Sequence, residues 1–189
     1  MKHLNWIICL AAIAVLSSCG ASDKEVVEAY IDAYNSNNYK KMETLIGDDY
    51  HVSFQNEFKE TTKKELENTM DWNAAMKGKT KVVKLKELGE GKVQTIESYT
   101  NEKNRILGCK NPNFKWTYFI EDSRIVKVVY DTLPQHTAIS DARKQAFDKF
   151  NQWCSENDFD IDTFYGDANA AKVLKRALRQ YEVDVKNPQ

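Results

Sequence analysis

The chain has 189 residues, 42% of them hydrophobic and 29% charged, with a formal net charge of −1. That length suits one domain of ordinary size with a few extra elements, and the composition is too apolar for a disordered chain. Acidic and basic residues are interspersed and nearly balanced, so electrostatics gives no ground for binding nucleic acid, and none is expected as a partner.

Residues 1–18 are laid out as an export signal. Lys2 gives a positive start, Trp6 to Leu16 an apolar run, and Ser17 and Ser18 are small residues ahead of Cys19. The run is too short for a comfortable bilayer span, which takes roughly 20 apolar residues. Leu16-Ser17-Ser18-Cys19 resembles the lipobox of bacterial lipoproteins: a branched apolar residue, two small ones, then cysteine. The resemblance implies cleavage before Cys19, a diacylglycerol thioether on its sulfur and acylation of its new amino group. Membrane lipid is then the first expected partner and the bacterial cell envelope the expected location. Each buried methylene of an acyl chain contributes about 0.8 kcal/mol, so several chains anchor stably where one does not. The alternatives are an ordinary secretory signal with an incidental cysteine, or an uncleaved anchor. Residues 19–22 form the acylated cysteine and a short tether. Cys9 leaves with the leader. Cys109 and Cys154 remain, either as one disulfide, which export permits, or as two buried free thiols.

Folded structure is expected to begin almost at once. Ser22 or Asp23 caps a helix in which Val26, Val27, Tyr30, Ile31 and Tyr34 recur at helical spacing. Asn35-Ser36-Asn37-Asn38 is a polar break before a short helix from Tyr39 to about Ile46, which Gly47-Asp48-Asp49 ends as a turn. Tyr50 to Phe54 alternates like a strand. Thr62 caps a third helix through about Lys77, carrying Leu66, Met70, Trp72 and Met76. From Gly78 the period changes to two. Val83 and Leu85 share one face of a strand from Thr80 to Leu88, Gly89-Glu90-Gly91 turns the chain, and Val93, Thr95, Glu97 and Tyr99 share a face of the next strand. A loop containing Cys109 leads to strands at Phe114–Ile120 and Arg124–Tyr130, and Pro134 closes the sheet region. Ser140 then caps a helix with an apolar stripe from Ala142 to Cys154. An irregular acidic stretch and a final helix carrying Ala171, Leu174, Leu178 and Tyr181 complete the chain.

Helices followed by an antiparallel meander define an α+β fold. Val26 to Asn35, Asn38-Tyr39 and Leu45 to Val52 together resemble the opening of the nuclear transport factor 2-like superfamily. Leu107-Gly108 and the hairpin Phe114–Tyr130 are similar to its later part. The resemblance spans residues 23–133 and leaves a helical extension at 138–185. It implies a cone in which a curved antiparallel sheet wraps N-terminal helices around a cavity. Members include a ketosteroid isomerase, polyketide cyclases, dehydratases and domains that only bind ligands or partners. At the isomerase's catalytic positions this chain has the oxyanion-binding tyrosine, Tyr30, but Phe54 in place of the general base and Lys115 near the second oxyanion donor. The resemblance therefore does not carry isomerase chemistry over, and fold alone does not imply it.

The candidate ligand-binding residues are Tyr30, Tyr34, His51, Trp72, Glu97 and Trp116. The aromatic members, with Met76 and Tyr118, either line a pocket or pack a core, since both uses give these spacings. His51, with Asp49 and Tyr30, forms a potential acid/base set or is a surface residue at a strand end. Glu97 is desolvated, with a raised pKa, if its strand face is concave, and is a solvated glutamate if that face is convex. Asp158, Asp160 and Asp162 alternate like a calcium loop, but Thr163 stands where an EF-hand needs Gly and Asn169 where it needs Glu. With no phosphate loop, zinc or nucleophile motif either, no cofactor or metal is expected. Three functions remain open. The first is a lipid-anchored, non-catalytic domain whose cavity holds a small, largely apolar ligand or a peptide. The second is a dehydratase-, isomerase- or cyclase-type enzyme using Tyr30 with Glu97 or His51. The third is an envelope interaction module that binds a protein partner or a second copy of itself.

Overall fold

A computed structural model describes residues 21–55 and 61–186. The leader and Cys19 lie outside the described residues. Capping chemistry places the first helices. Helix α1 (Asp23–Asn35) begins at Ser22, whose hydroxyl accepts from the Glu25 N–H at 3.3 Å while the Glu25 carboxylate accepts from the Ser22 N–H at 2.7 Å. This exchange satisfies two donors that a helix start otherwise leaves open. Thr62 and Glu65 repeat it at α3 (Lys63–Ala75), and Asn38 caps the short α2 (Tyr39–Leu45).

Strands β1 (Ile46–Phe54), β2 (Lys79–Gly89), β3 (Lys92–Thr100), β4 (Phe114–Glu121) and β5 (Arg124–Thr132) form a single sheet in the order β1-β5-β4-β3-β2. Strand β1 runs parallel to β5, and the other neighbours are antiparallel. The short α4 (Glu102–Leu107) bridges β3 and β4. Helix α5 (His136–Glu156), a 3-10 turn at Ile161–Phe164 and α6 (Ala168–Tyr181) form the C-terminal extension. The architecture is α+β: a curved, mixed five-stranded sheet with helices against it and a helical extension. No helix among the described residues is long and apolar enough to cross a membrane.

The apolar side chains separate into two cores. The first lies between the sheet and α1–α3 and holds Val27, Tyr30, Ile31, Met42, Met70, Val93, Tyr118 and Val128. The second holds Met76, Ile106, Phe150, Phe164, Leu174 and Leu178, with Trp72 and Ala75 packed against it. Helix α3 serves both. Gly78 makes its exit possible: a Cβ there would collide with the Asn73 side chain, whose Oδ1 accepts from the Tyr99 hydroxyl at 2.5 Å. Asn35 joins α1 to β2 by accepting from the Thr80 N–H and donating to the Thr80 carbonyl, both at 2.8 Å.

Four local expectations need correction. Gly47-Asp48-Asp49 is not a turn, because β1 begins at Ile46. A Cβ at Gly47 would approach Val126 Cγ1 to 2.9 Å, so this glycine serves a close strand approach. Val83 and Leu85 do not share a face: the β2–β3 register shifts between Val82 and Lys84, and Val82 and Leu85 pack inward while Val83 is exposed. A bulge of this kind inserts one residue and resets the alternation. The expected loop around Cys109 contains α4, capped by Asn101. Helix α5 starts four residues before Ser140, at His136. Of the two alternatives left open for the cysteines, the structure has free thiols, with Cys154 buried and Cys109 partly exposed.

Leu174 is fully buried in the second core. Its truncation to Ala removes transfer free energy and leaves a cavity, for an expected loss of about 2–5 kcal/mol. Urea denaturation of the variant measures this. A loss under about 1 kcal/mol would mean that α6 does not hold the extension in place.

Candidate ligand cavity

The concave face of the sheet, α1 and α3 enclose a cavity of about 720 Å³. Side-chain alternation along the strands supplies its floor. Thr95 and Glu97 on β3 stand opposite Trp116 and Phe114 on β4, and Tyr118 follows on the same face. From above come Tyr30, Ile31 and Tyr34 of α1 and Leu66, Thr69 and Trp72 of α3. The C-terminal extension contributes Arg143, Tyr165 and Gly166. Tyr165 stacks on Trp72 with ring centroids 5.8 Å apart, and the Trp72 indole N–H donates to the Phe164 carbonyl at 2.8 Å. The extension therefore completes the cavity wall.

The inner end of the cavity is a buried polar cluster in apolar surroundings. Tyr30 and Tyr50 share a hydrogen bond of 2.6 Å between their hydroxyls. Tyr118 packs edge-on against Tyr30 at 5.7 Å and donates to Glu97 Oε1 at 2.7 Å, and the Thr95 hydroxyl donates to the same oxygen. Glu97 is only 6% exposed. Burial raises its carboxyl above the usual carboxylate range, and the bonds from Thr95 and Tyr118 partly offset that. Burial likewise pushes the Tyr30 and Tyr118 phenols well above their ordinary range, so both remain neutral donors.

Of the residues singled out from sequence, Tyr30, Tyr34, Trp72, Glu97 and Trp116 line this cavity, and so does Tyr118. Glu97 faces the concave side. His51 does not join them. Tyr50 and Val52 of β1 line the cavity, whereas His51 and Ser53 line a second hollow with Thr117, Phe119 and Lys127. Period two along β1 puts His51 on the other face of the sheet, where its Nδ1 lies 3.1 Å from the Asp49 carbonyl. Met76 is also displaced, into the second core. At the isomerase's remaining catalytic positions, Phe54 packs on Tyr130 at 5.1 Å and Lys115 pairs with Asp131 at 3.2 Å. In the acidic stretch, the Asp160 carboxylate accepts from the Asp162 N–H, while Phe159 and Ile161 pack on the second core. Among the described residues no group of three or more His, Cys, Asp or Glu side chains could hold a metal. Sequence reasoning missed Tyr50, Asn101, Asn111, Arg143 and Tyr165 as lining residues. Tyr50 alone carried a signal, lying two residues from Val52 on an alternating strand.

No protein-family profile and no curated protein matches the sequence. Several solved structures are similar in shape. One is a nuclear transport factor 2-like protein of unknown function from Cytophaga hutchinsonii, with 18% identity over 60% of this chain and 92% of that one, and a TM-score of 0.47. A second is a cystatin-fold protein from Novosphingobium aromaticivorans, at 18% identity over 59% and 98%, TM-score 0.48. A third is an epoxide hydrolase from M. tuberculosis, at 12% identity over 60% and 84%, TM-score 0.47. Likeness at this level assigns neither a family nor an activity to the chain.

The raised carboxyl of Glu97 has a signed consequence for stability. Below the ordinary carboxylate range Glu97 is protonated in both folded and unfolded chains, and its burial carries no charge penalty. As pH rises from there through the folded-state pKa, only the unfolded chain ionises freely, and stability is lost. Glu97→Gln keeps an acceptor for Tyr118 and Thr95 without a charge. The variant is expected to melt close to the parent near pH 4 and above it near pH 8, the gap widening as pH rises. Melting curves across that range check this, and a gap that stays flat would contradict the assignment.

Proposed function

We propose that the chain is a lipid-anchored protein of the bacterial cell envelope whose cavity binds a small, largely apolar ligand without transforming it. The observation that carries the binding reading is the cavity itself. Its volume of about 720 Å³ and its walls of tyrosine, tryptophan and aliphatic side chains, with a few converging polar groups, suit a small organic molecule. Aromatic walls supply large apolar contact, and their polar tips orient a ligand. The absence of catalysis is argued from how the polar groups are used. Glu97 Oε1 already accepts from Tyr118 and Thr95, and the Tyr30 hydroxyl is engaged with Tyr50, so both are committed to the fold. The anchor rests on the lipobox-like run ending at Cys19.

A second reading, an enzyme of the isomerase, dehydratase or cyclase type, is favoured by one observation. Glu97 is a buried carboxylate in the cavity wall whose pKa is raised toward the range that suits a general base. Tyr30 and Tyr118 would then be its neutral donors, and His51 has no part in it.

Thermal-shift screening of the protein against small apolar compounds tests binding. Hits should raise the melting temperature, and Trp116→Ala should weaken them roughly tenfold, on the order of one buried aromatic contact. A library that never moves the melting temperature would count against a ligand site. If a hit is also turned over, and Glu97→Gln binds it without turnover, the enzyme reading replaces the first. Mass spectrometry of the mature chain should find Cys19 at its start with acyl chains attached, and Cys19→Ser should release the protein from membranes. An unacylated mature start would remove the anchor.

A further inference from the structure

The outer end of the cavity carries positive charge that the described fold does not balance. Lys103, on α4, is 5% exposed, and Arg143, on α5, lines the cavity. Both lie over one aromatic ring: Lys103 Nζ is 3.7 Å and Arg143 Cζ 4.6 Å from the centroid of Phe147. A ring face attracts a cation but does not neutralise it. Among the described residues neither Lys103 nor Arg143 forms an ion pair. Lys103 donates to the Tyr165 hydroxyl, a neutral oxygen, and Arg143 Nε is buried with no hydrogen-bond partner. Of the two thiols near Lys103, Cys109 and Cys154, the latter offers no counter-charge, because burial raises it to about 11. Burial and the Arg143 charge together depress Lys103 to about 8, with a smaller opposing pull from Cys109 and Cys154. Buried cations are ordinarily paired, and an unpaired one is costly. Lys103 is such a cation, and beside it the half-buried Arg143 keeps a buried, unpaired Nε, so the partner arrives with the occupant.

We propose that the ligand is an amphipathic monoanion, with an apolar body against Trp72, Trp116 and Tyr130 and a carboxylate head against Arg143. The proposal rests on the reading of the cavity as a ligand site. Arginine Nε–H and an adjacent N–H form a two-donor edge that matches a carboxylate, and the Nε–H is the group left unpaired here. Lys103 supplies a second positive charge behind Tyr165. The inner end has the opposite character: Glu97 and the buried tyrosines offer an anion no positive partner, so the ligand enters body first and leaves its head at Arg143.

Calorimetric titration of the full chain at neutral pH with octanoate and with octan-1-ol tests this, because the probes share a body and differ in charge. Octanoate should bind at least tenfold tighter than octan-1-ol, and Arg143→Gln should bring that ratio close to one. Lys103→Met should reduce the ratio by a smaller factor. Equal affinities in the parent chain would overturn the anionic head and leave the cavity reading standing. Binding of neither probe would overturn both. If Arg143→Gln alters the far-ultraviolet circular dichroism, Arg143→Lys takes its place, retaining the charge without the two-donor edge. A lowered octanoate preference supports the head contact, and an unchanged one overturns it.

Discussion

Helix α3 is shared by two hydrophobic cores, and the cavity depends on that division. Leu66 and Met70 face the sheet-side core, while Trp72 and Ala75 pack against the C-terminal one. A helix packed only on the sheet would be free to settle into the concave face, since closing a void recovers dispersion contacts. Here the Trp72 indole is tied to the Phe164 carbonyl and stacked on Tyr165. The α5–α6 unit thus acts as an external brace. Phe150, Trp153, Phe164 and Tyr181 form its ring cluster, with centroids 5.3–6.3 Å apart.

The interior that this arrangement protects is unusually polar for a concave sheet face. Thr95, Glu97, Tyr118, Tyr30 and Tyr50 are all under 10% exposed. Their hydrogen bonds are made among themselves, as a buried polar group requires if it is not to destabilise the fold. One carboxylate serving two hydroxyl donors explains why a glutamate is tolerated mid-strand. The network fixes the side-chain geometry at the inner end, whereas the outer end is built from long side chains on separate elements.

Local chemistry was legible in the sequence and long-range placement was not. Ser22 and Thr62 announced helix starts because capping acts over three residues. That Thr95, Glu97 and Tyr99 share a face followed from period two alone, but that the face is concave did not. Gly47 misled because a glycine needed for strand contact looks identical to one needed for a turn. Ser140 misled because a serine within a helix resembles a cap when the true start, His136, has no side-chain cap. His51 was misplaced because the second half of β1 was recognised without deciding which face was concave. Arg143 and Lys103 left no trace, since a lone cation on a helix reads as solvated until tertiary structure buries it. The two-cysteine question was likewise one of geometry, and spacing does not encode it.

The bulge beside Val83 bears on how copies of the protein tolerate crowding. Strand β2 forms one border of the sheet, and an open border of unpaired N–H and C=O groups is a template for joining another chain. Lys79, Lys81, Lys84 and Lys86 all project to solvent along it, and the irregular register interrupts the straight ladder a second strand would need. Repulsion between ammonium groups and the broken ladder act together against fibril-like growth. At high packing density the domains can then stay separate even though Val83 and Leu88 leave apolar surface uncovered on that border.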